Sequence, residues 1–259
     1  MTFAIHRTAL VLSLALGSSS LALAQSGTKQ PAPPPAESSA TKAETRARVA
    51  PTAEAATPLK PGDKVPETAP LRRADGQSVS LSQLLENKSA VIVFYRGGWC
   101  PYCNAHLADL ARIQPVLAEN DVALIAISPD SPSALSESLS SKPLPYTLLS
   151  DSNHEAMKAF GVAFAVDPET QNKLKGHGMD LTAASGNQDA VLPVPSVFVV
   201  NPGGKVTFAH TDADYRQRLS GEQVLKAAGI SPKASGSATK HSDGDSSKEH
   251  SEHEGSGTK

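Results

Sequence analysis

The chain carries two cysteines, and they stand close together in Trp99-Cys100-Pro101-Tyr102-Cys103. A Cys-x-x-Cys pair can be half of a zinc site, a structural staple or a redox couple. Zinc takes about four ligands, usually from two such pairs or from a pair plus histidines, and no second cysteine pair exists. Closing so short a loop restricts the unfolded chain by only about 2 kcal/mol in the chain-entropy picture, a small gain for a domain of this size. The pair therefore reads as a dithiol that cycles through a disulfide.

The flanking residues say how such a dithiol is activated. Ala90-Val91-Ile92-Val93-Phe94-Tyr95 is a continuous apolar, β-branched and aromatic run, the pattern of a strand buried on both faces. Gly97-Gly98 turns the chain, and Pro101 suits the first turn of a helix, where its missing N–H would have had no partner. The cysteines are thus expected at a helix N-terminus, where first-turn amides and the positive end of the helix dipole favour thiolate over thiol. Arg96 supplies a further positive charge if it points inward. Trp99 and Tyr102 are expected to cover the dithiol and present a docking surface. A second element of the site is Leu192-Pro193-Val194-Pro195-Ser196: a proline opening an internal strand needs a reason, and in thioredoxin-like folds that reason is a cis proline, here Pro195, facing the dithiol.

The remaining pattern supplies elements to hold that geometry. Ser80 and Gln83 around Leu81, Leu84 and Leu85 form a capping box opening a short helix. Leu107, Leu110, Ala111, Gln114 and Leu117 mark one face of the helix after Pro101, with Pro115 as its kink or end. Residues 122–128 read as a second buried strand and residues 155–160 as a short helix closed by Gly161. Residues 196–200 and 206–209 form a hairpin about Asn201-Pro202-Gly203-Gly204, and residues 222–228 a final amphipathic helix. Strand-helix-strand followed by hairpin-helix is the order of an α/β thioredoxin-like fold, a central mixed β-sheet flanked by helices in a single domain.

Composition frames this domain. Residues 1–24 combine a short basic start, an interrupted apolar segment and Ala22-Leu23-Ala24, and read as a signal peptide for export, to the periplasm if the cell has one. No other apolar run is long enough to span a bilayer, so no membrane association is expected after cleavage. Residues 25–58 and 231–259 have the composition of a disordered linker and a disordered His/Ser/Gly/Glu tail, leaving residues 59–230 as the domain. The balance of 24 basic against 26 acidic residues offers no basic field for nucleic acid. His106, His154, His177 and His210 lack ligand-like spacing. The dithiol together with the tail residues His241, His250 and His253 would suit a soft or borderline metal, a binding-protein reading that stands beside the redox one.

Phe94-Tyr95-Arg96-Gly97-Gly98-Trp99-Cys100-Pro101-Tyr102-Cys103, with Ser128-Pro129-Asp130, Leu149-Ser150-Asp151, Phe160-Gly161-Val162, residues 193–199 and the stretch 212–218, resembles the peroxiredoxin-like proteins of the alkyl hydroperoxide reductase C and thiol-specific antioxidant superfamily, in the subgroup with Cys-x-x-Cys. The resemblance spans the whole domain. It implies a thiol peroxidase that needs no metal or organic cofactor: Cys103 falls on the peroxidatic cysteine, Cys100 is the resolving thiol, the substrate is hydrogen peroxide or an organic hydroperoxide, and the reductant is a thioredoxin-like protein. In the family's Pro-x-x-x-Thr-x-x-Cys pattern only the cysteine matches here; Arg96 takes the proline's place and Cys100 the threonine's. The family's active-site arginine would fall to Arg96 or Arg218. The alternative resembles thioredoxin and glutaredoxin: a protein disulfide oxidoreductase in which Cys100 attacks and Cys103 resolves.

Overall fold

A computed structural model describes residues 48–66 and 69–231. The expected signal peptide and most of the linker and tail lie outside those residues. β1 (Pro70–Arg72) and β2 (Ser78–Ser80) form a small hairpin, and Ser80 caps α1 (Leu81–Leu85) with the anticipated reciprocal bonds to Gln83. β3 (Ser89–Phe94) then leads through the Gly97-Gly98 turn into α2 (Pro101–Glu119), and β4 (Val122–Ser128) follows. Next come α3 (Pro132–Ser141), β5 (Thr147–Ser150), α4 (Glu155–Ala159), β6 (Ala163–Ala165), α5 (Pro168–Gly176), α6 (Leu181–Ser185) and β7 (Val191–Pro193). β8 (Ser196–Val200), β9 (Val206–Thr211) and α7 (Gly221–Ala227) complete the domain.

Seven strands form one mixed sheet in the order β2-β1-β5-β4-β3-β8-β9, while β6 and β7 pair separately. The central strand β3 runs parallel to β4, with Phe94 opposite Ile127, and antiparallel to β8, with Phe94 opposite Ser196. Its all-apolar character follows from burial on both faces. Ala90, Ile92 and Phe94 enter one core, where Phe94, Phe160 and Phe198 meet with ring centroids 4.9 to 6.1 Å apart. Val91, Val93 and Tyr95 enter the other, shared with α2, α7 and both cysteines. Strand alternation thus assigns the two faces, and the dithiol is built into the second.

Pro115, expected to kink or end α2, does not end it, since the helix continues through it to Glu119. Pro115 lies on the exposed side, so the carbonyl that loses its intrahelical donor can turn to water, while Cys103, His106, Leu107, Leu110, Ile113 and Leu117 keep the buried face in contact with the sheet. The N-terminal boundary of the domain also moves outward. Residues 48–58, assigned to the linker by composition, are tied to β6 and its approach: the Ala50 amide donates to Ala163 at 2.9 Å, the Ala165 amide to Ala50 at 2.8 Å and the Thr57 amide to Gly161 at 3.0 Å. Backbone pairing of this kind leaves no side-chain periodicity for a sequence reading to detect.

Buried titratable groups of opposite sign sit in this frame. Burial pushes the Asp151 carboxyl up to about 7, against the stabilising amides of Met157 and Ala156. Burial, then the charge of Arg218, holds the His106 imidazole down at about 4. Between about pH 4 and 6.5 folding therefore takes up a proton at Asp151 and releases one at His106, so their contributions to the pH dependence oppose each other. Asp151 alone makes stability fall as pH rises through that window, and the loss is complete above about pH 7. In Asp151→Asn the unfolding free energy, relative to wild type, should climb by about 1.4 kcal/mol per pH unit across the window. Urea titrations at pH 4.5, 5.5 and 6.5 test this, and parallel curves for the two proteins would refute it.

Candidate active site

The strand-turn-helix at the end of β3 places the dithiol as the sequence implies. Cys100 occupies the N-cap of α2 with extended backbone, Pro101 opens the helix, and Cys103 lies in its first turn. Both thiols are reduced and buried. The Asn104 amide donates to the Cys100 carbonyl at 3.0 Å, and its side-chain amide reaches back to the Gly98 carbonyl at 2.8 Å, locking turn to helix. Gly97 has φ +144°, and a Cβ there would lie 2.3 Å from Trp99 Nε1 and 2.7 Å from Asp130 Oδ1. Only glycine fits so tight a passage. Asp130, buried after β4, accepts from the Gly98 amide at 2.8 Å and from the Ser128 hydroxyl at 3.2 Å, and burial raises its carboxyl above the usual range. Sequence reading noted Asp130 only within a motif; its role as the brace of the turn depends on a contact 32 residues distant.

The two sulfurs form one titrating unit. A hydrogen bond from the Cys103 thiol holds the Cys100 thiol down at about 6; the Cys103 amide and the charges of Arg96 and Arg218 act in the same direction, and burial opposes them. The same pairing pushes Cys103 up, reinforced by burial and by the charge on Cys100. The amide of Arg96 and the guanidinium of Arg218 pull Cys103 the other way. One proton is thus lost readily from the pair, and in the resting hydrogen bond the remaining one sits on Cys103.

Arg218, in the segment between β9 and α7, brings its Nη2 to 3.6 Å from Cys103 Sγ. Arg96 also turns inward: it is buried, its guanidinium stacked 4.2 Å from the Tyr215 ring centroid and 4.9 Å from that of Trp99. Of the two arginines, Arg218 is therefore the one whose side chain meets Cys103, while Arg96 brings its amide to Cys103 and its charge to bear on Cys100. Trp99 is half-buried against two core clusters. Tyr102 is exposed and meets Tyr215 edge-on at 5.7 Å. With Val49, these two tyrosines are the exposed large hydrophobic residues among those described. Tyr215 had appeared in the sequence reading only within the stretch 212–218.

Antiparallel pairing of Phe94 with Ser196 carries Pro195 to the level of Tyr95, beside the turn. Pro195 lines a cavity of about 360 Å³ together with Arg96, Phe164, Leu192 and Tyr215. A second cavity, about 630 Å³, opens on the other side of the turn against Gly98, Trp99, Asp130, Ser138 and Met179. Of the histidines, His106 and His154 are buried. Among the described residues no group of three or more His, Cys, Asp or Glu is placed to hold a metal ion, and the tail histidines lie outside them.

The AhpC/TSA family model matches residues 61–209. Peroxiredoxin Bcp of Escherichia coli is 32% identical over 105 residues, which are 40% of this chain and 66% of that protein, so the match spans just under two thirds of this relative. Among solved structures, peroxidoxin BcpB from Mycobacterium tuberculosis superposes with a TM-score of 0.51 at 21% identity, covering 66% of this chain and 95% of that one. A peroxiredoxin-like protein from Aquifex aeolicus gives 0.51 at 18% identity, covering 67% and 88%. At such identities the likeness is one of fold, a mixed sheet flanked by helices of the thioredoxin-like kind.

Proposed function

The chain belongs to the AhpC/TSA family, and from that premise we propose that it is a thiol-dependent peroxidase in which Cys103 is peroxidatic and Cys100 resolving. One observation carries the assignment of Cys103: the Arg218 guanidinium stands 3.6 Å from its sulfur. A fixed cation there favours the thiolate and the charge that develops on the oxygens of a peroxide as the O–O bond stretches. Transfer of the shared proton from Cys103 to Cys100 moves the charge to the sulfur beside Arg218. The Cys103 thiolate attacks one peroxide oxygen, the O–O bond breaks, and the departing oxygen takes a proton to leave as water or alcohol. The sulfur becomes a sulfenic acid. Cys100 then attacks that sulfur, water departs and the Cys100–Cys103 disulfide forms. A thioredoxin-like dithiol restores both thiols by exchange and carries away the disulfide. No step calls for a metal or organic cofactor.

In the competing reading Cys100, whose thiol is held low by its pairing with Cys103, attacks protein disulfides. The two are separated by measuring peroxide consumption with a thioredoxin system beside reduction of insulin disulfides. Peroxide turnover that far exceeds disulfide reduction is expected, and insulin reduction without peroxide turnover would overturn the peroxidase assignment.

Export is part of the same proposal, supported by the apolar leader and Ala22-Leu23-Ala24. Expression of the whole chain in a bacterial host should yield a periplasmic protein beginning at Gln25. N-terminal sequencing that finds the leader retained on a cytoplasmic product would contradict it.

A further inference from the structure

The Arg218 segment is joined to the helix that carries Cys103. Asp109, six residues along α2 from Cys103, accepts the Gly221 amide through Oδ2 at 2.6 Å. His106, between them in the helix and itself buried, hydrogen-bonds toward the Leu219 backbone and lies against the charge of Arg218, with its Nε2 unpartnered. Gly221 passes α2 so closely that a Cβ would lie 2.8 Å from Ile113 Cγ2 and 3.4 Å from the Asp109 carbonyl oxygen. Residues 3, 6 and 10 positions after Cys103 therefore hold the chain on the C-terminal side of Arg218. By contrast, the hydrogen bond from the Arg218 side chain within its own segment goes only to the neighbouring Gln217 carbonyl. A long, flexible side chain reaches a sulfur at a fixed distance only if its backbone is held in register with the helix that bears the sulfur.

We propose that Asp109, assisted by His106, is a positioning residue for the peroxidase reaction: it clamps the 218–221 segment to α2 and thereby sets the Arg218 guanidinium against Cys103 Sγ. The proposal rests on the role given to Arg218 above. Asp109 makes no hydrogen bond to either cysteine; besides the Gly221 amide it pairs with the exposed Arg112 at 3.7 Å, and its effect on the thiols is expected through Arg218. When the clamp is released the guanidinium swings toward solvent, the charge favouring thiolate at the pair weakens, and the pair titrates at higher pH.

The test is the pH dependence of thiolate absorbance and of alkylation by iodoacetamide, followed in the full chain for wild type, Asp109→Ala, Asp109→Asn, Arg218→Met and the double variant Asp109→Ala/Arg218→Met. Asp109→Ala is expected to move the thiolate titration upward by about half to one pH unit and to slow peroxide reduction several-fold at pH 6.5, with recovery toward wild type at pH 9. Asp109→Asn keeps an oxygen acceptor for the Gly221 amide and should titrate like wild type. The double variant should shift no further than Arg218→Met alone, since both remove one interaction. Gly221→Ala, forced off α2 by its Cβ, should reproduce the Asp109→Ala shift and guards against a loss of folding peculiar to one variant. A merely structural Asp109 would lower the melting temperature and leave the titration in place, and that result overturns the proposal, as does additivity in the double variant. If Arg218→Met leaves the titration unchanged, the role of Arg218 itself fails. If Arg218→Met shifts it and Asp109→Ala does not, only the clamp fails.

Discussion

Cys103→Ser is expected to abolish peroxide-dependent turnover, whereas Cys100→Ser should still consume one equivalent of peroxide and stop with a sulfenic acid on Cys103. The expectation follows from what each sulfur loses. In the wild type, the first cause raising Cys103 is its hydrogen bond to Cys100. Replacing Cys100 by serine removes that thiolate partner and leaves Arg218 and the Arg96 amide to draw the Cys103 thiol down. The remaining sulfur should therefore be at least as ionised near neutral pH as before, and it keeps its cation. Without a resolving thiol the sulfenic acid persists and can be trapped with dimedone and located by mass spectrometry. In Cys103→Ser the hydroxyl can still donate to Cys100, so Cys100 stays reactive toward iodoacetamide. It feels the arginine charges but lacks the guanidinium contact made at position 103, and steady-state peroxide consumption should fall to background, a loss of about three orders of magnitude. Dimedone found on Cys100 would reverse the assignment of the two cysteines. Full turnover in Cys103→Ser would remove the peroxidase mechanism as written.

How much of this was legible in the sequence depends on the range over which each feature acts. The Ser80–Gln83 capping box, the both-faces-buried strand before the dithiol, Pro101 at the helix start and the Asn201–Gly204 hairpin turn are local patterns, and each appears where its residues imply. Three helices escaped notice for physical reasons. α3 is serine-rich with Leu135 as its one buried residue, and α5 buries none, so neither carries an apolar stripe; α6 is only five residues long, too short to show a period. Residues 48–58 join the domain through backbone bonds, which composition cannot register. At the site, the cysteines, Trp99, Tyr102 and Pro195 announced themselves by type and spacing. The contact on which the proposed chemistry rests did not: Arg218 and Cys103 are 115 residues apart, and only the fold, which carries the segment between β9 and α7 back to α2, brings them together. Arg96 was the arginine nearer in sequence, yet its guanidinium is engaged with the Trp99 and Tyr215 rings.

That distinction between the arginines makes the final prediction quantitative. Arg218→Met keeps the unbranched aliphatic stem but removes the cation 3.6 Å from Cys103 Sγ. In a partly buried site a single preorganised charge-stabilising donor contributes roughly 10²- to 10³-fold to rate, and the second-order rate with hydrogen peroxide should drop by about that factor. Two effects are combined in the loss. The thiolate fraction at neutral pH declines, a part recovered as pH is raised; stabilisation of the departing oxygen is also lost, and no pH restores it. Stopped-flow fluorescence of Trp99, adjacent to Cys100 and the chain's one tryptophan, gives the rate directly between pH 6 and 9. Arg218→Lys should recover only part of it, because an ammonium supplies the charge without the planar fork of donors. Arg96→Met should cost much less at the sulfur and show instead as a change in Trp99 emission, since it removes the cation stacked on that ring. If Arg96→Met slows peroxide reduction as much as Arg218→Met does, the positive field of the site is shared rather than delivered at Cys103. The assignment of the attacking sulfur by its neighbouring guanidinium would then lose its basis.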